Sequence, residues 1–193
     1  MPFFYRLCYF IGNIVFRIIF RFKVTGKHNI PKEGKVILCS NHISDLDPLI
    51  LGLAIPRNIR FMAKKELFEN KFLGGLVNAL GAFPVDRKAA DLSAIRNSLN
   101  VLKNDEVLGI FPEGTRVTEE NIENAKPGIA LISIKAKAPV IPIYIESKYK
   151  VFSKIKINIG EPIYFNEYYG KKLKTEDYKI LSQEIMKSIY SLK

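Results

Sequence analysis

The sequence predicts a single α/β domain, a mostly parallel mixed sheet covered by helices, with an amphipathic helix in front of it. Three observations carry that prediction. Short apolar runs such as KVILCS (35–40) and EVLGIF (106–111) alternate with longer stretches of helical period. This is the pattern of buried parallel strands joined by crossover helices. A chain of 193 residues, 48% of them hydrophobic, suits one domain and can bury a full core. The sequence contains no internal repeat or low-complexity tract that would suggest another architecture. The expected division is residues 1–24 for the leading helix and 25–193 for the domain.

Taken in order, residues 3–22 read FFYRLCYFIGNIVFRIIFRF and predict a helix. Arg6, Asn13 and Arg17 are spaced seven and four apart, so they share one helix face, and Phe, Leu, Ile and Val cover the rest. A membrane-spanning helix would carry Arg17 into hydrocarbon. A signal peptide lacks a basic start and a small-residue cleavage site. The favoured reading is a helix lying in the membrane interface. Phe3, Phe4, Leu7, Phe10, Ile14 and Ile18 would be its apolar contact, with Arg6, Arg17 and Arg21 at headgroup level. A membrane-inserted helix and a helix packed on its own domain are the alternatives.

Gly26 to Gly34 is a turn-rich linker, and 35–40 is a buried strand. A helix of about PLILGLAI follows, with Asp45 or Asp47 as its cap. IRFMA (59–63) is a strand, and a helix is predicted from about 65 to 79. A short extended piece then leads to Arg87 and a helix over 89–103, with Asp91 near its start. EVLGIF is a strand stopped by Pro112, residues 128–136 are helical, and PVIPIYI (139–145) is a strand. KIKINIG (154–160) alternates cleanly and reads as a half-exposed strand near a sheet edge. Leu181, Ile185, Ile189 and Leu192 mark an amphipathic helix from Thr175 to Leu192.

Thirty Lys and Arg against 19 Asp and Glu leave a formal charge of +11, which favours anionic partners. Nucleic-acid binding would want exposed aromatics interleaved with basic groups, yet most of the 13 Phe sit in apolar runs. Two cysteines, Cys8 and Cys39, and two histidines give neither a disulfide framework nor a metal site. No phosphate-binding G-x-x-x-x-G-K-[ST] loop occurs, so nucleotide hydrolysis is not expected.

His42 stands in SNHISDLD (40–47), just past a strand, with Asp45 three and Asp47 five residues on. A carboxylate receiving the imidazole Nδ1–H fixes the tautomer and leaves Nε2 free to take a proton. Spacing alone leaves both acids open as the partner, and a turn histidine beside a helix cap is the plainer reading. No G-x-S-x-G elbow accompanies it, so a base acting on a substrate's own hydroxyl is the fitting chemistry. FPEGTR (111–116) follows the next buried strand. Gly114 permits a tight turn, Thr115 offers a hydroxyl, Arg116 a fork suited to phosphate, and Glu113 an acceptor. Arg87 follows GAFPVD, and Lys64 with Lys65 follows IRFMA. Polar groups just beyond four separate strands mark a ligand site at the carboxyl ends of an open α/β sheet.

In order and spacing, NHISDLD, GAFPVDR, FPEGTR and VIPI resemble the four motifs of the glycerolipid acyltransferase family, over roughly residues 20 to 162. The chain is most similar to short bacterial members that acylate 1-acyl-glycerol 3-phosphate. The resemblance implies that His42 and Asp47 form the catalytic pair. It places Gly81, Phe83 and Arg87 in the second motif, whose arginine holds the substrate phosphate. Glu113, Gly114, Thr115 and Arg116 fall in the acceptor-binding third motif, and Lys64 lies near the phosphate. Pro142 falls in the fourth motif, near the acyl donor or acyl chain. Val117 stands where many relatives have Ser.

The implied reaction moves a fatty acyl group from acyl carrier protein or coenzyme A to lysophosphatidic acid, with no bound cofactor or metal. The implied setting is peripheral, on an anionic membrane surface at the cytoplasmic face of the cell membrane. Acylation of another lysophospholipid, glycerol 3-phosphate or an amino-acid lipid is the neighbouring alternative. A non-catalytic protein binding anionic lipid is the alternative of another class.

Overall fold

The computed structural model describes residues 3–86 and 92–193. Helix α1 (Phe3–Ile19) is followed directly by strand β1 (Arg21–Thr25), β2 (Val36–Ser40), α2 (Asp47–Ala54) and β3 (Ile59–Lys64). Then come α3 (Lys71–Ala79), β4 (Phe83–Val85), α4 (Leu92–Lys103), β5 (Val107–Ile110) and α5 (Gly128–Ala136). Strands β6 (Val140–Glu146) and β7 (Lys154–Ile159) and helix α6 (Thr175–Tyr190) complete the chain. The seven strands form one sheet in the order β1-β7-β6-β2-β5-β3-β4. All neighbours are parallel except β6 and β7.

The sequence expectations need two corrections. The leading helix stops at Ile19, and Arg21–Thr25 is a strand pairing in parallel with β7 from Arg21↔Lys154 to Thr25↔Asn158. Strand β7 lies near the edge as expected, second in the sheet between β1 and β6. Its alternating burial reflects one uncovered face, not a missing backbone neighbour. The helix expected from 65 splits into a 3-10 turn (Lys65–Phe68) and α3. The Asn70 side chain caps α3 by accepting from the N–H groups of Phe72 and Leu73. The predicted start of α4, including Asp91, lies outside the described residues.

All five residues of β2 are buried, because helices cover both faces of the sheet. Ile37 and Cys39 join Leu108, Ile110 and Val140 against α4, α5 and α6. Val36 and Leu38 join Ile141, Ile143 and Ile155 against α2 and Phe20. Helix α1 lies over α2. Gly12 allows that approach, since a Cβ there would sit 2.8 Å from Leu53 Cδ2. Asn13, on the helix face it shares with Arg6 and Arg17, donates its side-chain amide to Leu53 O at 3.3 Å.

The opposite side of α1 is bare. Phe3, Phe10 and Ile18 are 82%, 64% and 68% exposed, and Phe4, Leu7 and Ile14 are exposed beside them. Arg6, Arg17 and Arg21 are exposed as well. Among the described residues, no helix is long and apolar enough to cross a membrane.

Candidate active site

Strand β2 ends at Ser40, and the next two residues carry the chain into the site. Asn41 extends the ladder by one step. Its side-chain amide donates to Ile145 O at 2.9 Å, and its Oδ1 accepts from Ile145 N–H at 2.8 Å. His42 is then held at both backbone groups: its N–H donates to Glu113 Oε2 at 3.0 Å, and its carbonyl accepts from Val117 N–H at 2.9 Å. The His42 ring stacks on Phe111 with centroids 4.2 Å apart, and Phe111 stacks on Phe61. Phe61 has that place because Gly109 faces it, where a Cβ would lie 2.3 Å from the ring.

His42 Nδ1 lies 2.9 Å from Asp47 Oδ2. That oxygen also accepts from the N–H groups of Ile43 at 2.7 Å and Ser44 at 2.8 Å, while Oδ1 accepts from the Tyr149 hydroxyl. Asp47 has no exposed surface, so these donors replace the water its charge has lost. A carboxylate fixed in this way takes Nδ1–H and turns Nε2 outward as the acceptor. Nε2 makes no hydrogen bond among the described residues. Asp45, the rival partner on spacing, is committed elsewhere: its Oδ2 lies 2.7 Å from Arg116 Nη1.

The structure also shows where the other predicted residues stand. Gly114, at φ +69°, forms the turn after β5, and Thr115 and Arg116 are exposed on it. Lys64 ends β3, is exposed, and pairs with Glu66 at 3.5 Å. By register it sits beside Val85, the last residue of β4; Arg87 lies outside the described residues.

Glu113 is 2% exposed, beneath the His42 loop, and its Oε1 accepts from the Tyr190 hydroxyl at 3.1 Å. Burial pushes its carboxyl up to about 7. The hydrogen bonds from Tyr190 and His42 N–H work against that shift, and the Asp47 charge adds to it.

Gly81 is at the other end of the sheet. It turns the chain into β4 at φ +84°, and a Cβ there would lie 2.3 Å from Arg60 Nη1. Phe83 opens β4 and packs toward α4. Pro142 sits inside β6 opposite Cys39, three residues short of His42, or roughly 10 Å at strand rise.

A cavity of ≈ 200 Å³ adjoins the His42 loop. Glu113, Glu119, Glu120 and Glu146 are among the residues lining it, which makes it unfit for a phosphate. The basic groups Lys64 and Arg116 lie outside it. Sequence reasoning missed Asn41, Tyr149 and Tyr190. Asn41 had a signal in its place next to His42. The two tyrosines reach the site from 102 and 77 residues away and leave no local pattern.

The chain is similar to known proteins in sequence and in fold. A family model described as Acyltransferase matches residues 21–146. The 1-acyl-sn-glycerol-3-phosphate acyltransferase of Bacillus subtilis (strain 168) is 35% identical over 166 residues, covering 83% of this chain and 82% of that protein. The Streptococcus pneumoniae protein of the same name is 32% identical over 169 residues, covering 82% of this chain and 62% of that one. The crystal structure of the 1-acyl-sn-glycerophosphate (LPA) acyltransferase PlsC from Thermotoga maritima superposes with a TM-score of 0.76. It covers 97% of this chain and 79% of that one and, at 24% identity, it speaks for the fold. With the family model spanning β1 through β6 and relatives matching most of the chain, this protein belongs to the acyltransferase family and is an enzyme of that kind.

Proposed function

We propose that the enzyme is an O-acyltransferase of phospholipid biosynthesis. In this reading it moves a fatty acyl group from an acyl carrier protein or coenzyme A thioester to the 2-hydroxyl of 1-acyl-glycerol 3-phosphate, giving phosphatidic acid. The observation that carries the chemistry is the buried His42–Asp47 pair at 2.9 Å, with Nε2 left open. The acceptor is taken from the names of relatives at 35% and 32% identity.

His42 Nε2 takes the proton of the 2-hydroxyl as that oxygen bonds to the thioester carbonyl carbon. The tetrahedral adduct collapses with cleavage of the C–S bond, and the imidazolium returns the proton to the departing thiolate. Asp47 holds the tautomer and stabilises the imidazolium between the two steps. Arg116 and Lys64, with Arg87 from beyond β4, hold the phosphate and so fix the hydroxyl's position. Binding a phosphate would draw Arg116 away from Asp45, an exposed and inexpensive pair to break. The bare apolar side of α1, flanked by Arg6, Arg17 and Arg21, would seat the enzyme peripherally on an anionic membrane at its cytoplasmic face.

The test is acyl transfer by the purified chain in mixed micelles. It would use labelled 1-acyl-glycerol 3-phosphate and both thioesters, beside a panel of other lysolipids and glycerol 3-phosphate. Phosphatidic acid as the main product is expected, and the better thioester identifies the donor. Turnover of a different acceptor alone would reassign the substrate. Absence of any thioester-dependent product from folded protein would overturn the reading.

A further inference from the structure

The buried carboxylate of Asp47 has a partner that the sequence motifs do not include. Its Oδ2 is already occupied by His42 Nδ1 and by the N–H groups of Ile43 and Ser44. Oδ1 would be left without a donor but for the hydroxyl of Tyr149, which arrives from the loop between β6 and β7. We propose that Tyr149 is a positioning residue for the acyl transfer, locking the Asp47 carboxylate toward His42 and tying the catalytic pair to the foot of α1. The inference rests on His42 being the base.

The loop is built to present that hydroxyl. Tyr149 has φ 49°, a left-handed backbone that non-glycine residues rarely adopt, and its N–H is held by Ser147 Oγ at 3.0 Å. Its ring meets the edge of Phe20 with centroids 6.3 Å apart at 84°. Phe20 is 6% exposed and follows α1 directly; its ring packs in turn on Phe16, one turn back. Two backbone hydrogen bonds fasten the same loop to the end of α1: Phe152 N–H to Ile19 O at 2.7 Å and Arg21 N–H to Ser153 O at 3.0 Å. The end of the exposed helix and the catalytic carboxylate therefore share one residue. Burial, then the charge of Asp47, raises the Tyr149 hydroxyl well above its ordinary range, so it remains a donor at any working pH.

Removing that donor acts on the pair in two ways. A hydroxyl bonded to Oδ1 draws off part of the carboxylate's negative charge. Without it more of that charge faces the imidazole. The carboxylate also gains rotational freedom, which weakens its alignment with Nδ1.

The experiment compares full-length wild type, Tyr149→Phe and Phe20→Ala in acyl transfer to 1-acyl-glycerol 3-phosphate across pH. Thermal unfolding is recorded for each protein. Tyr149→Phe loses only an oxygen and is expected to lower kcat about tenfold with KM for the acceptor unchanged, and to shift the acidic limb of the rate profile. Phe20→Ala, which touches no reacting group, is expected to move the limb in the same direction by less. A Tyr149→Phe enzyme with wild-type kcat and an unmoved limb overturns the inference. So does a loss of rate that tracks lowered thermal stability while the limb stays in place. Absence of turnover by the wild type would instead remove the base assignment on which the inference stands.

Discussion

The carboxyl edge of the sheet is built in two different ways. At β2, β5 and β6, the His42 loop is tied from several sides: Asn41 clamps Ile145, Glu113 and Val117 hold the His42 backbone, and Asp47 accepts from four donors. At β3, β4 and the tip of the 111–116 turn, Lys64 and Arg116 are exposed and held by surface ion pairs to Glu66 and Asp45. The groups assigned to proton transfer are fixed before any substrate arrives. The groups assigned to the phosphate can exchange an existing partner for it. Preorganisation benefits a group that must act in the transition state, whereas a binding group needs only to reach its ligand.

The largest effect that would sharpen this contrast is at Asp47. Asp47→Asn preserves shape but presents an amide to two backbone N–H groups and to Nδ1. It is expected to lower kcat about 10³-fold, as measured by initial rates in micelles. A loss of less than tenfold would mean that the tied side is no more sensitive than the open one.

Glu113 tests whether the tied side is truly dry. Its carboxyl is pushed from 4.5 to about 7, so the native state holds a proton that the unfolded chain releases across that interval. Stability then falls as pH rises through the window, by about 3 kcal/mol if the full shift is expressed. Glu113→Gln carries no such proton. Its unfolding midpoint in urea is expected to gain on the wild type between pH 4.5 and 8, and parallel curves would contradict the assignment.

A smaller change is expected on the open side. Arg116→Ala should raise KM for the phosphorylated acceptor roughly thirtyfold with kcat nearly unchanged, an effect that weakens as salt is added. A fall in kcat at constant KM would put Arg116 with the fixed machinery. The smallest effect belongs to α1. Phe10→Ser with Ile14→Ser removes exposed apolar surface only, and should weaken sedimentation with anionic vesicles about tenfold while leaving thermal unfolding unchanged.

Much of this molecule could be read from its sequence because its central strands β2, β5 and β6 are buried on both faces. KVILCS and EVLGIF carry polar residues only at their ends and PVIPIYI only Tyr144, and the polar groups just beyond these runs fall at the same edge. Strand β1 was hidden for a physical reason. FRFKVT continues directly from an apolar helix, so the helical period absorbs it until pairing with β7 separates the two. Alternation in β7 told which face is covered, but not whether the backbone has a neighbour on both sides. The site divides in the same way. His42 and Asp47 meet within one turn and one helix start, so their spacing could suggest the contact. Tyr149 and Tyr190 are brought in by the tertiary fold alone. Gly81 and Pro142 carry motif signals, yet the structure puts them at the far end of β4 and inside β6, where their contacts are with Arg60 and Gly160.

The central claim is that a preset His42 draws the proton from the acceptor hydroxyl, and the most direct test is the rate of phosphatidic acid formation by His42→Ala beside the wild type. The expected result is a loss of at least about 10³-fold with the unfolding transition intact. A folded His42→Ala protein that turns over within tenfold of the wild type would contradict the account.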